Sequence, residues 1–218
     1  MNNALTQFFV EHCLDAFTTA LGLLYILLQY RASIWLWLVG IVMPVLDIYL
    51  YWGHGLYGDA GMAAYYTAAA IYGYAAWKIS EWRSRNQENS TLHTARSSDT
   101  LAHSTHSDIS HFPLKLIVPT LLVFLAAWAI AYYVLTHYTG STIPATDAFT
   151  NALSFIALWA LARKYAEQWL LWIIVDLVSC YLYIVKGIPF KAFLYGLYVV
   201  IAILGYRKWL RMIPKPLN

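Results

Sequence analysis

Charged residues are scarce in this sequence, and their scarcity excludes an ordinary soluble domain. Only 11% of the 218 residues are Asp, Glu, Lys or Arg, whereas 61% are apolar. A soluble domain carries about 25% charged residues. Cysteine is scarcer still: Cys13 and Cys180 are the two thiols, too few for a disulfide framework or a metal site of four cysteines. The composition is typical of an integral membrane protein.

Motifs of catalysis and of ATP use are also missing. The chain has no GxxxxGK[ST] loop, no HExxH and no DxxD, and every histidine lies at or beyond the end of an apolar segment. GHGLYG at 53–58 formally matches GxGxxG, but it follows an apolar helix and not a strand, so it indicates a tight turn. MNNALTQFFVEHCLDAF, at the start, lacks the basic residues of a cleaved signal peptide. We expect no catalytic residue, no metal and no cofactor.

Seven apolar segments are present instead, each close to the roughly 20 residues that a membrane-spanning helix needs. Their approximate bounds are 14–30, 33–52, 60–78, 115–137, 147–163, 167–185 and 190–209. Between the third and fourth segments, residues 83–112 are rich in Ser, Thr, His, Asn and Gln, and we expect a mobile loop there. The loop contains His93, His103, His106 and His111. A metal site or a polar loop that tolerates histidine would explain them, and we favour the loop.

Lysine and arginine are distributed unevenly between the two sides of these segments. With the N-terminus outside, the inner side holds twelve of the 14 basic residues, and the outer side holds only Lys186 and Lys191. Basic residues accumulate in cytoplasmic loops. The distribution predicts a multi-pass protein of the bacterial inner membrane, with the N-terminus outside, the loop in the cytoplasm and a cytoplasmic tail at 211–218.

The sequence contains an internal duplication. Residues 15–77 and 147–209 align at an offset of 132 without a gap and are identical at 21 of 63 positions. Each copy holds three apolar segments, and an extra segment lies between them, so both copies cross the membrane in the same sense. We predict an all-α membrane domain over residues 1–210. Its seven transmembrane helices form a 3+1+3 arrangement, two parallel three-helix repeats (about 14–78 and 147–209) joined by a linker helix (about 115–137).

Matched positions of the repeats indicate shared folding roles, and mismatched positions indicate a site. Gly73 and Gly205 match, and we expect them to allow close helix packing. Asp15 and Asp147 match, and N-capping explains both. Two mismatches point to a site in the second repeat: Asp176 replaces Pro44, and Trp172 replaces Gly40.

Asp176 lies nine residues into the sixth segment, about 14 Å along a helix and close to mid-membrane. A carboxylate there costs about 2.5–3.5 kcal/mol and normally faces the bundle interior. Trp169, Trp172 and Asp176 share one helix face, which Ser179 and Tyr183 continue. Indoles beside a carboxylate outline a site for a flat, cationic ring. The alternative is a hydrogen bond from Asp176 to a neighbouring Tyr or Asn, with the tryptophans as packing anchors or, for Trp169, as an interfacial residue.

Four other residues are candidates for the transport machinery. Asn151 on the fifth segment is polar at depth, and Asp47 on the second lies nearer the outer side, where binding, gating or an access route would suit it. Pro44, with Gly40 one turn before it, is a candidate hinge.

Three stretches of the chain resemble the nicotinamide riboside transporter family, the Pnu-type vitamin transporters. They are WLWLVGIVMPVLDIYLYWGHGLYGDAGMAAYYTAAAIYGYAAW, DAFTNALSFIALWALARKYAEQW and EQWLLWIIVDLVSCYLYIVKGIPFKAFLYGLYVVIAILGYRKW. The resemblance covers roughly 13–80 and 113–210, and its most specific part is the E-x-W-x-x-W-x-x-x-D pattern of Glu167, Trp169, Trp172 and Asp176. The long histidine-containing loop departs from the family.

The resemblance implies a 3+1+3 fold akin to the SWEET sugar transporters and a homotrimer in the bacterial inner membrane. It further implies facilitated diffusion of a vitamin for NAD biosynthesis, with a cytoplasmic kinase that traps the vitamin. By the same resemblance, Trp172 and Asp176 line the substrate site, and Asn151 is a polar partner. Family members carry nicotinamide riboside, thiamine or riboflavin. The first two contain a cationic ring, and we choose nicotinamide riboside because it is the commoner substrate in the family.

Three functions from other classes are alternatives to a vitamin carrier. A retinal receptor needs a buried lysine, whereas Lys191 lies at the outer edge of the seventh segment. A membrane enzyme needs a nucleophile–base pair or metal ligands at depth. A proton-coupled carrier would use Asp176 or Asp47 as its proton acceptor, and it stays open as an alternative.

Overall fold

The structure is a computed structural model that describes residues 20–53, 57–95, 109–138, 143–185, 187 and 189–214. Within these residues the protein is all-α, with a single turn of 3-10 helix at Leu114–Leu116, and seven helices are present as predicted. They are α1 (Ala20–Tyr30), α2 (Trp35–Gly53), α3 (Tyr57–Ala95), α4 (Ile117–Tyr138), α5 (Pro144–Ala162), α6 (Gln168–Val185) and α7 (Pro189–Met212).

Four of the described helices are long and apolar enough to cross a membrane. These spans are Leu114–Tyr138, Pro144–Ala162, Gln168–Val185 and Lys191–Met212, and two shorter apolar stretches are Ala20–Tyr30 and Trp35–Tyr49. The described side chains of α4 include none that is buried. A helix that is apolar on all sides and mostly exposed suits a lipid environment, in which apolar side chains need no protein partner.

The predicted loop 83–112 has the wrong bounds at both ends. Helix α3 continues to Ala95, and Ile109, at the other end, is 3% exposed. Polar composition ends the apolar segment but does not end the helix, because Glu81 forms ion pairs with Lys78 and Arg85 at helical spacing. His103 and His106 lie outside the described residues.

The turns after α1 and α5 have the same backbone structure at the repeat offset of 132. Ser33 N–H donates to Leu28 C=O at 2.9 Å, as Tyr165 N–H does to Ala160 C=O at 3.0 Å. Ala32 and Lys164 are the left-handed residues of these turns, with φ of 51° and 55°. Both turns are Schellman caps in which Ala or Lys takes the position that usually favours glycine. The duplication seen in the sequence therefore extends to local structure.

The first compact unit, Met1–Ile71, contains α1, α2 and the start of α3 among its described residues. Leu36 and Trp37, at the start of α2, are fully buried. A Cβ added to Gly40 would lie 3.2 Å from the Tyr25 ring and 3.6 Å from the Ala70 Cβ. Gly40 therefore lets the α2 backbone approach α1 and α3 closely.

The second unit, Tyr72–Asn218, contains the end of α3 and helices α4 to α7. Phe124 and Trp128 of α4 pack against Phe149 of α5, with ring centroids 5.6 and 5.7 Å apart from it. Trp77, near the middle of α3, donates from Nε1 to the Leu161 carbonyl at 3.3 Å. Aromatic side chains thus connect α4 to α5 by ring packing and α3 to α5 by a hydrogen bond.

Helix α5 begins one turn earlier than the expected cap. Its N-cap is Ile143, with Pro144 as the first helical residue, and Asp147 lies inside the first turn. The N-cap prediction for Asp147 is therefore wrong. Pro144 begins the helix because its fixed φ suits the first position and no N–H is needed there. The Asp147 carboxylate still suits the positive end of the helix dipole. Asp15 lies outside the described residues.

Candidate functional site

The predicted polar-aromatic stripe of α6 faces the interior of the second unit. Trp169, Asp176 and Ser179 are 2%, 7% and 8% exposed, whereas Leu177 and Tyr181 of the same helix are 53% and 65% exposed. The alternation follows the helical period, so one face of α6 is covered and the opposite face is apolar and open.

The Asp176 carboxylate is buried without a bonded partner in the part of the chain that the structure describes. Tyr195 and Tyr198 of α7 lie close enough to interact with it electrostatically, but no described group donates a hydrogen bond to it. The hydrogen bond that would make Asp176 a structural link between helices is therefore not formed by any described Tyr or Asn. A buried charge normally has a partner, so this carboxylate suits a cationic ligand or a proton.

Trp172 adds an unused donor one turn from that carboxylate. Its Nε1 is buried and has no hydrogen-bond acceptor among the described residues. Four residues separate Trp172 from Asp176, about 6 Å along the helix. An unpaired N–H and an unpaired carboxylate on one covered face can bind a ligand that offers both an acceptor and a positive charge.

Trp169 serves the packing of α6 against α7. A Cβ added to Gly205 would lie 2.7 Å from its Cε2 and Cζ2 atoms, and the Trp209 ring meets it edge to face with centroids 6.0 Å apart. The expected role of Gly205 in close helix approach is confirmed. Of the two roles that the sequence allowed for Trp169, substrate binding and packing, these contacts match packing.

A group of tyrosines extends from the site along α7. Tyr183 stacks on Tyr195 with centroids 5.2 Å apart, and Tyr195 meets Tyr198 at 5.6 Å. Lys191 Nζ lies 5.3 Å above the Tyr183 ring. Tyr195 was not among the residues predicted from the sequence, although the repeat carried the signal: the equivalent residue, Ala63, is as different from Tyr195 as Pro44 is from Asp176.

The other candidate residues lie on three different helices. Asn151 is half-buried on α5, and no hydrogen bond within the described residues joins it to Asp176. Ser154 is buried, and its hydroxyl donates to the Thr150 carbonyl of its own helix at 2.8 Å. Asp47, Pro44 and Gly40 all lie on α2, in the first unit.

Metal binding finds no support among the described side chains, which contain no group of three or more suitable ligands. His111, a member of the histidine-containing loop, instead has its Nδ1 2.8 Å from Glu167 Oε1. One histidine of the loop therefore serves a contact within the protein.

The profile of the nicotinamide mononucleotide transporter family matches residues 12–211 of the chain. The chain belongs to that family. It is thus a transporter and not an enzyme, and the resemblance seen in the sequence is confirmed. Membrane-spanning helices and family membership together identify a multi-pass membrane protein that transports a vitamin.

Relatives of known substrate and one solved structure accompany the family match. The riboflavin/roseoflavin transporter RibM of Streptomyces davaonensis is 26% identical over 96% of this chain and 91% of its own. The nicotinamide riboside transporter PnuC of Escherichia coli is 24% identical over 90% of this chain and 84% of its own. The crystal structure of the vitamin B3 transporter PnuC has a TM-score of 0.62 at 19% identity, over 89% of this chain and 79% of that one, and shares the fold.

Proposed function

We propose that this transporter carries nicotinamide riboside into the cell by facilitated diffusion. The observation that supports the proposal is that the Trp172 N–H and the Asp176 carboxylate, one turn apart on α6, both lack a hydrogen-bond partner among the described residues. The pyridinium ring of nicotinamide riboside supplies a positive charge, and its carboxamide and ribose hydroxyls supply acceptors. A carboxylate and an indole match this combination of groups.

Two other vitamins are candidates for the same site. Thiamine also contains a cationic ring and would use Asp176 in the same manner. Riboflavin is neutral, so it would leave the carboxylate without a counter-charge. The similarity to the riboflavin transporter RibM nevertheless extends over 96% of the chain and makes riboflavin a necessary comparison. A proton-coupled carrier is the alternative mechanism, with the proton on Asp176 or Asp47.

The proposed cycle is alternating access by rocking of the two parallel repeats around a site near mid-membrane. Pro44 has no N–H, so the Gly40 carbonyl lacks its usual helical donor, and α2 can flex between these two residues. Asp47 lies one turn beyond Pro44 and would contact the substrate on the outer side of the site. Asn151 on α5 would supply a polar contact from another helix.

The cellular setting of the proposal comes from the resemblance and from the distribution of charge. The protein would lie in the bacterial inner membrane with the N-terminus outside and the C-terminus in the cytoplasm, because twelve of 14 basic residues then face inward. It would assemble as a homotrimer. A cytoplasmic kinase would phosphorylate the vitamin and keep it inside the cell for NAD biosynthesis.

The test is calorimetric binding of nicotinamide riboside, thiamine and riboflavin to the purified protein and to Asp176→Asn. We expect nicotinamide riboside to bind and the variant to weaken binding at least tenfold, about 1.4 kcal/mol. Asp147→Asn is the matched control, because it removes a carboxylate from the same unit at the start of α5, and its affinity should stay unchanged. Equal binding of nicotinamide riboside to wild type and Asp176→Asn would refute the counter-charge. Binding of riboflavin alone would reassign the substrate.

A further inference from the structure

A short strap, residues 109–113, is bound to the turn that precedes the substrate helix α6. Ser110 N–H donates to the Lys164 carbonyl at 3.2 Å, and Ala166 N–H donates to the Ser110 carbonyl at 3.0 Å. These bonds form a parallel bridge between Ser110 and Tyr165. The strap thereby satisfies backbone groups that the Schellman turn leaves free.

Glu167, the last residue before α6, holds the strap with both carboxylate oxygens. Phe112 N–H donates to Oε2 at 2.7 Å, and His111 Nδ1 lies 2.8 Å from Oε1. Hydrogen bonds to a carboxylate are short and about twice as strong as neutral ones. Glu167 is only partly exposed, with 27% of its side chain accessible, so water competes for these bonds less than it would at an open surface.

Aromatic packing fastens the strap beside these bonds. The Phe112 ring meets Tyr165 edge to face at 5.3 Å and Trp159 at 6.2 Å, while Ile109 is almost completely buried. The Tyr165 side chain is also hydrogen-bonded to Arg163, and that bond is the main cause that raises the pKa of the guanidinium. The strap is therefore a packed part of the second unit.

The first repeat has the same turn, but none of the residues that the structure describes holds a strap against it. The residue equivalent to Glu167 is Trp35, which is 63% exposed. Among the described residues, the bridge between Ser110 and Tyr165 is the only isolated one, so no described segment pairs with the turn before α2. Among the described residues, the turn before α2 therefore forms without a strap, which indicates that the strap serves helix α6 and not the turn itself.

We propose that Glu167 is a positioning residue. Its bonds to the strap fix the N-terminal end of α6 while Trp172 and Asp176 bind and release the substrate. The inference rests on the proposed function, since α6 must carry the site. Nine residues separate Glu167 from Asp176, about 14 Å along a helix, so the Glu167 carboxylate does not reach a substrate held there. Its influence passes through the backbone of α6 and through the helix end that the strap immobilises.

The test measures substrate affinity and transport rate separately in the full-length protein. Glu167→Ala removes both bonds to the strap, and we expect the maximal rate of nicotinamide riboside uptake into proteoliposomes to fall about tenfold. The dissociation constant from calorimetry should stay within about threefold, because the contacts at Trp172 and Asp176 remain. Glu167→Gln keeps one acceptor oxygen for Phe112 N–H, so its transport rate should lie between those of the wild type and Glu167→Ala.

Two further variants separate the loss of the bonds between Glu167 and the strap from a general loss of charge. Glu81→Gln removes a carboxylate that pairs with Lys78 and Arg85 on α3 and touches no strap, so transport should be unchanged. His111→Ala removes one partner of Glu167, and combining it with Glu167→Ala should add no further loss. An unchanged rate in Glu167→Ala, or losses that multiply in the double variant, would overturn the proposal.

Hydrogen exchange gives a readout that needs no substrate. The amides of Phe112 and Ala166 should exchange slowly in the wild type and rapidly in Glu167→Ala, while the amides in the middle of α6 stay protected. If no vitamin binds to the wild type, the proposed function fails, yet this measurement still decides whether Glu167 holds the strap. Equal protection of Phe112 in both proteins would show that Glu167 does not hold the strap.

Discussion

Helices α2 and α6 are equivalent members of the two repeats, and they differ where a ligand would bind. Both follow the same Schellman turn, and both bury a tryptophan in their first turn, Trp37 and Trp169. One turn later the two helices differ at two positions, because α6 carries Trp172 and Asp176 where α2 carries Gly40 and Pro44. The duplicated positions build the helices, whereas the diverged positions carry the groups to which we assign recognition on α6 and flexibility on α2.

The two repeats also place the large and the small side chain of one helix–helix contact on opposite helices. In the first repeat Tyr25 on α1 lies against Gly40 on α2. At the equivalent positions of the second repeat the small residue is Ala157 on α5, which is completely buried, and the large residue is Trp172 on α6. Packing density is conserved in protein interiors. The exchange therefore moves an aromatic ring onto the helix that holds the carboxylate.

The largest expected effect comes from copying the second pattern into the first repeat. Gly40→Trp places an indole where even a Cβ would lie 3.2 Å from Tyr25, so we expect it to destabilise the fold by about 3 kcal/mol or more. Adding Tyr25→Ala should recover most of the loss, because the pair then matches Trp172 and Ala157. Thermal unfolding in detergent, followed by size-exclusion chromatography, measures both variants.

Gly61→Trp is the control for that experiment, since a Cβ at Gly61 has no neighbour within 4 Å, and its stability should stay near that of the wild type. Equal stability of Gly40→Trp with and without Tyr25→Ala would show that the side chains at positions 25 and 40 do not have to be complementary in size.

Periodicity and the internal repeat were sufficient to predict the helices and the covered face of α6. They placed Trp169, Trp172 and Asp176 on one face because helical spacing alone decides which side chains share a side. The close contact of Gly205 with α6 was predicted for a similar reason, since matched glycines indicate close helix packing.

The bonds of the strap could not be predicted, because they join residues that are far apart in sequence and carry no periodic signal. Glu167 and His111 are separated by 56 positions, and the polar stretch around His111 resembles any solvated loop. The end of α3 was misplaced because hydropathy reports where a helix leaves apolar surroundings and not where its hydrogen bonds end. The 3+1+3 arrangement of the two repeats stays a prediction.

A medium effect is expected at Gly205, one of the two glycines of α7, and the other glycine, Gly196, serves as its control. Gly205→Ala brings a methyl group to 2.7 Å from the Trp169 ring, and we expect a loss of about 1–3 kcal/mol in stability. Gly196→Ala is the matched control, because its Cβ would lie 4.0 Å from Cys180 Sγ, and alanine favours the helix by about 1 kcal/mol. The same thermal measurement applies, and equal unfolding temperatures would contradict the packing role of Gly205.

The smallest effect is expected at Pro44, where the comparison concerns motion. Pro44→Ala restores the donor that the Gly40 carbonyl lacks, so α2 becomes as continuous as α6. We expect the transport rate to fall about threefold to tenfold while the substrate affinity from calorimetry is retained, because no binding group is removed. Pro119→Ala is the control, since Pro119 lies in the first turn of α4, where a missing N–H costs nothing.

The Pro44→Ala experiment tests whether flexibility belongs to α2 and ligand binding to α6. A slower rate with unchanged affinity in Pro44→Ala, together with weaker binding in Asp176→Asn, would mean that one position of the duplicated helix has become a flexible joint in α2 and a ligand group in α6. An unchanged transport rate in Pro44→Ala would mean that α2 does not flex at Pro44. The difference between Pro44 and Asp176 would then concern recognition alone. Any movement of the repeats would have to arise at the turn before α2, where Ala32 holds the left-handed conformation, because the strap holds the equivalent turn at Lys164.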